Sequence, residues 1–486
     1  MAQEHATRVP SLVCGKAGAG PFVHAVRYAF DGRTVAMVEE TPAAQVQAAI
    51  AAAVHAQRQW RTVPAFRRSA MIEHIRCAVA KRADAFVSLL VEHTCKTLKD
   101  ARAETERSLS TLQVSADEAK RIEGDVLPMD ALAPGEGRLG VAVRVPVGVV
   151  AGITPFNAPL NLAIHKLGPA LAAGNAFVVK PHPNGAAITN LLGEACDEAG
   201  LPPGLFNVVH GGAEPGRALV SDPRVALVSF TGSGAVGEEI TRQIGLKRSV
   251  MELGGNAPTI VHADANLAAA VPLCAEAAFG LSGQSCVSTQ RIYVHRSIVD
   301  AFTAALADNA RRRRLGDPMD PATDLAPLIN EAAALRVERW IGEAVAQGAT
   351  LVCGGRRFGA GVEATVISGV RAEMRIVCEE VFGPVVTVST YDDIGDAIAA
   401  ANDSPWGFKA GIFTESLAIA MRAARELEFG TVNINGASRT RVDHEPSGGA
   451  KLSGWGREGP RYAIEDMTYL KMISLSTLPA ATKGPT

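Results

Sequence analysis

The chain predicts an α/β fold built from two Rossmann-like, doubly wound domains, and three observations carry that expectation. Its 486 residues exceed the roughly 250–300 that one hydrophobic core usually serves. From Gly148 onward, apolar β-branched runs alternate with helical patterns: VGVVAGI, a helix from Ala158, NAFVVKP, a helix from Ala186, FNVVHG, a helix from Pro215, and VALVSFTG. Strands buried on both faces read as continuous apolar runs, and their alternation with helices marks a parallel sheet. A second series of the same kind begins near Met251: PTIVH, a helix from Asp264, RIYVH, a helix from Ser297, ATLVCGG, VVTVSTY, GIFTE and GTVNING. The two units meet near residue 251.

Three elements precede them. VRYAFDGRTVAMVEE alternates about an Asp-Gly turn and predicts a hairpin. Helical patterns rich in Ala, Leu, Arg and Glu run from Pro42 to about Arg121. A strand pair follows, Gly124–Pro128 and Leu139–Pro146, split by an Ala-Pro-Gly-Glu-Gly loop.

Composition narrows the function classes. With 47% hydrophobic and 20% charged residues, the chain is globular rather than disordered. A net charge of −2 offers no footprint for nucleic acid or a membrane surface. The basic run Arg311–Arg314 ends a helical stretch and reads as a solvated helix end. MAQEHATRVPSLVCGKAG has no apolar core of signal-peptide length, and no uncharged apolar run reaches the roughly 18 residues of a membrane span. The eight cysteines form no C-x-x-C pair and no zinc spacing with histidine. The expectation is a reduced, cytoplasmic protein with free thiols and no metal site.

Three local features bear chemistry. Gly232-x-Gly234-x-x-Gly237 follows the apolar run VALVSFT and opens a helix, where glycines let backbone amides approach a pyrophosphate. A Gly-rich helix start is the plainer reading of the same residues. Glu252 stands 20 positions beyond Gly232, the spacing of a ribose-binding acid, and an acid before Gly254-Gly255 also suits a cap. Cys286, in FGLSGQSCVSTQRIYV, follows a glycine turn and precedes a β-rich run. A thiol at such a strand edge can serve as a nucleophile, and a buried structural cysteine has the same local pattern.

TPFNAPLN, VKP, FTGSGAVG, MELGGNAP, GQSC, EEVFGPVV and PSGGAKLSG occur in this order. Together they resemble the aldehyde dehydrogenase superfamily, from about Phe30 to Ile473. The resemblance implies a cofactor domain of residues 1–120 and 143–251 and a catalytic domain of 252–460. It also implies a small β flap of 121–142 and 461–486, which would join protomers as a homodimer or homotetramer. The implied activity is NAD- or NADP-dependent oxidation of an aldehyde to an acid. Cys286 attacks the aldehyde, hydride leaves to the nicotinamide, and Glu252 activates the water that hydrolyses the thioester. That role displaces the ribose reading of Glu252. Asn157 matches the oxyanion ligand, acting with the Cys286 backbone amide. Ile153, Thr154, Pro155 and Phe156 match the strand end beside the cofactor, and Lys180 the adenosine-ribose ligand. Gly232 and Ser233 match the pyrophosphate site, and Glu380 and Phe382 the nicotinamide-ribose clamp.

Departures from the family pattern sharpen the expectation. Many NAD-preferring relatives carry Glu three places after the ribose lysine; here that place is Pro183, and His182 fills a position usually held by a small residue. The choice between NAD and NADP stays open. Ser447 in PSGG stands where an aromatic often lines the substrate pocket, which implies a wider or more polar pocket. GQSCVSTQRIYVH and the segment from Arg441 to Thr468 resemble the branch of lactaldehyde, non-phosphorylating glyceraldehyde-3-phosphate and phosphonate- or sulfonate-aldehyde dehydrogenases. Arg107 falls where phosphate-binding relatives carry an arginine. With Arg439, Arg441 and His444 it implies a small anionic aldehyde held by forked hydrogen bonds. Against this, Ser285 stands where glyceraldehyde-3-phosphate relatives place an arginine, and Glu104, Asp443 and Glu445 are alternative ion partners. A neutral aliphatic or aromatic aldehyde is the alternative substrate. A CoA-acylating enzyme would intercept the thioester with a thiol, and the retained Glu252 favours water. An alcohol or hydroxy-acid dehydrogenase would use the glycine motif and need no cysteine.

Overall fold

The computed structural model describes residues 6–476. Residues 1–5 of the expected first domain and 477–486 of the expected C-terminal flap segment lie outside them. The expected hairpin forms from Phe22–Arg27 and Thr34–Glu39, paired antiparallel. Four helices follow: α1 (Ala43–Trp60), α2 (Ala65–Lys81), α3 (Ala83–Thr94) and α4 (Leu98–Ala119). Thr97 caps α4 by accepting from the Asp100 amide, the usual role of a hydroxyl at a helix start.

The first sheet has eight strands, and its five central members are parallel: Arg248–Glu252, Val225–Thr231, Val149–Thr154, Ala176–Pro181 and Phe206–Val208, in that order. Their side chains are buried almost without alternation, because helices cover both faces. These are α5 (Pro159–Ala173), α6 (Ala186–Glu198), α7 (Ala213–Ser221) and α8 (Gly234–Ile244). Leu12–Val13 pairs antiparallel with the far edge. At the other edge, Gly454–Trp455 returns from the C-terminal part of the chain and pairs antiparallel with Met251 and Glu252.

The second sheet has seven strands, ordered Thr350–Cys353, Thr365–Ser368, Val385–Tyr391, Thr289–His295, Ala257–Val261, Lys409–Phe413 and Thr431–Ile434. All its pairs are parallel except the first. A third, antiparallel sheet joins Asp125–Leu127, Arg138–Pro146 and Thr468–Ser476. Its middle strand runs unbroken through residues 142 and 143, because pairing continues in register to Pro146 opposite Thr468.

α5 positions the site. It is buried on every side, as suits a helix apolar all round. Its start is satisfied from another element: Glu104 of α4 accepts from the Leu160 and Asn161 amides at 2.9 and 3.2 Å. Gly174, at φ +91°, ends it. All eight cysteines are free thiols. No helix among the described residues is long and apolar enough to cross a membrane.

Candidate active site

Cys286 sits between a short 3-10 turn, Gly280–Gly283, and the strand Thr289–His295. Leu281, Ser282 and Gly283 all take positive φ, at +54°, +52° and +71°. Two of them are not glycine, and each such residue costs on the order of 1–3 kcal/mol unless its surroundings hold it. They are held. Ser282 Oγ donates to the Ala326 carbonyl at 2.7 Å, and Gln284 Oε1 accepts from the Ile329 amide at 3.0 Å. On the other side runs Glu252-Leu253-Gly254-Gly255. A Cβ on Gly255 would lie 2.3 Å from the Cys286 carbonyl, so only glycine lets this segment pass so close.

Asn157 follows the strand Val149–Thr154 and precedes α5. Its Nδ2 donates to the Gln284 carbonyl at 3.0 Å, two residues before Cys286, and its Oδ1 has no partner. Lys96 fixes the backbone here. It donates to the Asn157 carbonyl at 2.8 Å and pairs with buried Glu104. Glu104 is thus committed to α5 and Lys96, not to an arginine. A cleft lined by Thr94, Lys96, Phe156, Asn157, Leu281 and Gln284 opens beside the amide.

The electrostatics favour protonated forms. Burial pushes the Cys286 thiol up to about 12, the Glu252 and Glu380 carboxylates add to the shift, and Arg441 opposes it. Burial, and then the charge of Glu458, lifts Glu252 well above the usual carboxylate range, against Arg441 and Lys166. Glu458 goes the other way: burial would raise it, and Lys166, His165 and Arg441 outweigh burial.

A buried ionic chain backs Glu252, and sequence reasoning missed most of it. Lys166 donates to Thr231 Oγ1 at 2.7 Å and Glu458 Oε1 at 3.0 Å. Arg441 reaches Glu458 Oε2 at 3.3 Å and faces His165 Nε2 at 3.4 Å. His165 lies 3.1 Å from Asp443, which Arg107 grips with two nitrogens at 2.7 and 3.1 Å. One sequence signal existed: His165 and Lys166 are adjacent polar residues in the middle of the helix PLNLAIHKLGPALAA, whose other residues are apolar except Asn161. Such groups are seldom fully buried without partners.

The structure brings Arg107 and Arg441 together through Asp443 and His165. It does not bring Arg439 to them. Arg439 donates to Glu276 Oε1 at 3.0 Å and lies 3.9 Å from Asp100, because those carboxylates stand beside its own end of the loop. His444 is exposed. Ser447 is fully buried, and its Oγ has no partner.

Of the residues expected to hold a cofactor, Ile153, Thr154, Pro155, Phe156, Lys180, His182, Gly232 and Ser233 lie at or just beyond the C-terminal ends of adjacent parallel strands, where open α/β sheets bind ligands. Glu380 and Phe382 instead precede the strand Val385–Tyr391 of the second sheet. Ile153 pairs with Lys180 and Phe230, and Thr154 with Pro181. Ser233 is the N-cap of α8 and makes no side-chain cap bond, which leaves the positive helix end open to an anion. Gly237 answers to packing: a Cβ there would meet Leu253 at 2.5 Å. Lys180 is lowered to about 8 by burial, with Glu40 opposing. Burial and then Lys180 hold His182 down near 4. Its Nδ1 accepts from the Asn184 amide, so Nε2 is its remaining donor. Phe156 packs between His182 and Phe382, at ring distances of 5.4 and 5.9 Å. Glu380 Oε1 accepts from the Gly255 amide at 2.9 Å. An open helix end, the half-buried Lys180 ammonium and the unpartnered Thr154 hydroxyl suit a dinucleotide's phosphates and ribose hydroxyls.

Comparison with known proteins agrees with this arrangement. Residues 20–473 match the model of the aldehyde dehydrogenase family. The chain is 46% identical over 396 residues to a 3-sulfolactaldehyde dehydrogenase of Priestia megaterium (strain ATCC 12872 / QMB1551), covering 81% of this chain and 83% of that one. It is 42% identical over 449 residues to aspartate-semialdehyde dehydrogenase 1 of Pseudomonas canavaninivorans, covering 92% and 96%. Among solved structures, aldehyde dehydrogenase 21 from Physcomitrella patens, in complex with the reaction product succinate, aligns with a TM-score of 0.94 at 35% identity, covering 98% of this chain and 99% of that one.

Proposed function

The chain belongs to the aldehyde dehydrogenase family, and from that premise we propose that it oxidises a small aldehyde bearing a sulfonate, phosphonate, phosphate or carboxylate to the matching carboxylic acid. One observation carries the reading. Of the eleven buried side-chain atoms left without a partner among the described residues, five belong to the region of Cys286 and its ionic chain, on Asn157, His165, Glu252, Arg441 and Ser447. Of these, Arg441 Nε and Ser447 Oγ can donate to an anion. Buried polar atoms are otherwise nearly always paired, so such a concentration suits groups that await a polar, charged ligand. The three relatives named above share an anionic group in the substrate or product that their names give.

The roles follow the geometry. Cys286 first gives up its S–H proton to solvent, the thiolate sulfur bonds to the aldehyde carbon, and the carbonyl oxygen becomes an oxyanion. The second Asn157 amide proton and the Cys286 backbone N–H receive it. One such donor is worth about 2.7–4 kcal/mol in a transition state. A nicotinamide cofactor held by Lys180 and Ser233 would supply the hydride acceptor, and loss of hydride from that carbon leaves Cys286 as a thioester. Glu252 then removes a proton from water as the water oxygen bonds to the carbon and the C–S bond breaks. Lys166 and Glu458 hold the charge behind Glu252. The cofactor would be held on the first sheet and the thiol at the second, with the flap boundary moved from residue 142 to Pro146 and the strand Gly454–Trp455 counted with the first sheet. The outer strand Thr468–Ser476 exposes Tyr469, Leu470, Met472, Ile473 and Leu475, which supports a homo-oligomer joined there.

Arg441 is the stronger anchor for the substrate anion. Its Nε is buried without a partner, whereas Arg107 is already committed to Asp443. A hydrogen bond to a charged group is worth about 1.5–3 kcal/mol. Arg441→Met is therefore expected to lower kcat/KM for sulfoacetaldehyde roughly 10- to 150-fold more than for propionaldehyde. Equal losses would mean that Arg441 serves the thiol and Glu252 alone. A wild-type enzyme that prefers benzaldehyde to every anionic aldehyde would end the anionic reading.

The cofactor choice is not strict. Pro183 brings no carboxylate, and Glu40, which accepts from the Gly212 amide at 3.2 Å, supplies an acidic group facing Lys180. NAD and NADP are expected to differ by less than about a thousandfold in kcat/KM, roughly 4 kcal/mol. Glu40→Gln is expected to move the ratio toward NADP by about fivefold, the worth of one partly solvated charge. An unmoved ratio would clear Glu40 of any part in the choice.

A further inference from the structure

Lys409 is fully buried, and no step above uses it. An ammonium so placed is costly unless it is paired, and its partners all lie in one loop. It pairs with Glu445 and donates to the Thr440 carbonyl at 3.4 Å. Residues 437–446 form no helix or strand, yet this stretch carries Arg441 and Asp443 between the two points that Lys409 holds. The loop has other ties. Near its start, Ser438 Oγ donates to the Val287 carbonyl at 2.8 Å and Asn433 Nδ2 to the Ala437 carbonyl at 2.9 Å. Further along, Arg439 is tied to Glu276, Arg441 to Glu458 and Asp443 to Arg107. Beyond Thr440, Glu445 is held by Lys409 and by the Val442 amide at 3.3 Å. Freed from Lys409, the Glu445 carboxylate, four residues on from Arg441, would be left without its ammonium, and its charge would repel an anionic ligand there.

We propose that Lys409 is a positioning residue, which clamps the loop at Thr440 and Glu445 and offsets the charge of Glu445, so that Arg441 faces the headgroup of an anionic aldehyde. The proposal rests on the substrate class argued above. Lys409 makes no hydrogen bond to the thiol, though its charge interacts with those of Cys286 and Arg441; it acts on the substrate through the loop and through the charge of Glu445.

Lys409→Met keeps the buried volume and removes the charge. It is expected to raise KM for sulfoacetaldehyde roughly tenfold or more, with kcat and the KM for propionaldehyde little changed. Trypsin cleavage after Arg439 and Arg441, followed by mass spectrometry in the folded enzyme, should speed up, because local opening grows as ties are lost. Adding Glu445→Gln to Lys409→Met should recover part of the lost affinity by removing the carboxylate left uncompensated. A merely structural lysine predicts no such recovery. An unselective change in KM, or a double variant no better than the single one, overturns the proposal. If Lys409→Met does not fold, Glu445→Gln alone must speed loop cleavage, and unchanged cleavage overturns the clamp. If wild-type enzyme turns over propionaldehyde as well as sulfoacetaldehyde, the substrate class fails, while faster cleavage in Lys409→Met still supports the clamp.

Discussion

Replacing Cys286 with alanine is expected to cut aldehyde oxidation at least about a thousandfold and to leave cofactor binding intact. No neighbouring thiol can substitute: Cys274 and Cys353 are buried in the core of the second unit, and Cys77 and Cys378 are exposed elsewhere. An ordinary thiol titrates near roughly 8.5, and this one is pushed up to about 12, first by burial. The nucleophile is therefore mostly protonated at neutral pH, and Arg441 is the cation that favours its ionised form. Alkylation of Cys286 by iodoacetamide should accelerate as pH rises. Binding of NAD by the variant, read from quenching of tryptophan fluorescence, separates loss of chemistry from loss of fold. Residual turnover above about one per cent would remove Cys286 from the reaction.

Glu252→Gln is expected to slow thioester hydrolysis roughly 10²- to 10⁴-fold, the usual worth of a positioned general base. Hydride transfer precedes that step and should survive, so one enzyme equivalent of reduced nicotinamide should appear as a burst before a slow steady state. The sign of the pH dependence follows from the shifts. Thiol and carboxyl both act deprotonated, and burial raises both. Wild-type turnover should therefore climb as pH rises from neutral and fall as it drops. A variant that loses only cofactor affinity would restore the ribose role that the spacing from Gly232 suggests.

The sheets were legible because buried parallel strands leave continuous apolar runs, and AFVVKP and APTIV are such runs. The grouping of Cys286, Glu252 and Asn157 was legible through ordered motifs, each ambiguous by itself. The ionic chain behind Glu252 was not. Lys166 and Glu458 are 292 residues apart, and Arg107 and Asp443 336 apart, so no local pattern ties them. Nor does the formula of a loop such as RTRVDHEPSGG say which arginine turns inward. Arg439 and Arg441 are alike in sequence, and only packing sends one to Glu276 and the other to Glu458. Glu40 escaped notice for the same reason, since it approaches Lys180 from the end of the N-terminal hairpin.

The strand Gly454–Trp455, laid along Glu252 at the edge of the first sheet, has a consequence for biosynthesis. The cofactor half can pair its five parallel strands once residue 252 has left the ribosome, yet the outer rail of Glu252 is supplied from the far end of the chain. Ser453 Oγ donates to the Gly254 carbonyl across 199 residues, and Glu458 and Lys166 meet only after that. Contacts of such sequence separation form late, since closing the intervening chain comes first. A nascent polypeptide halted before this strand holds Cys286, Glu252 and Asn157 but not the wall that aligns them. Alignment of Glu252 thus awaits residues 453–458, and a nascent chain that has not yet reached them lacks that wall.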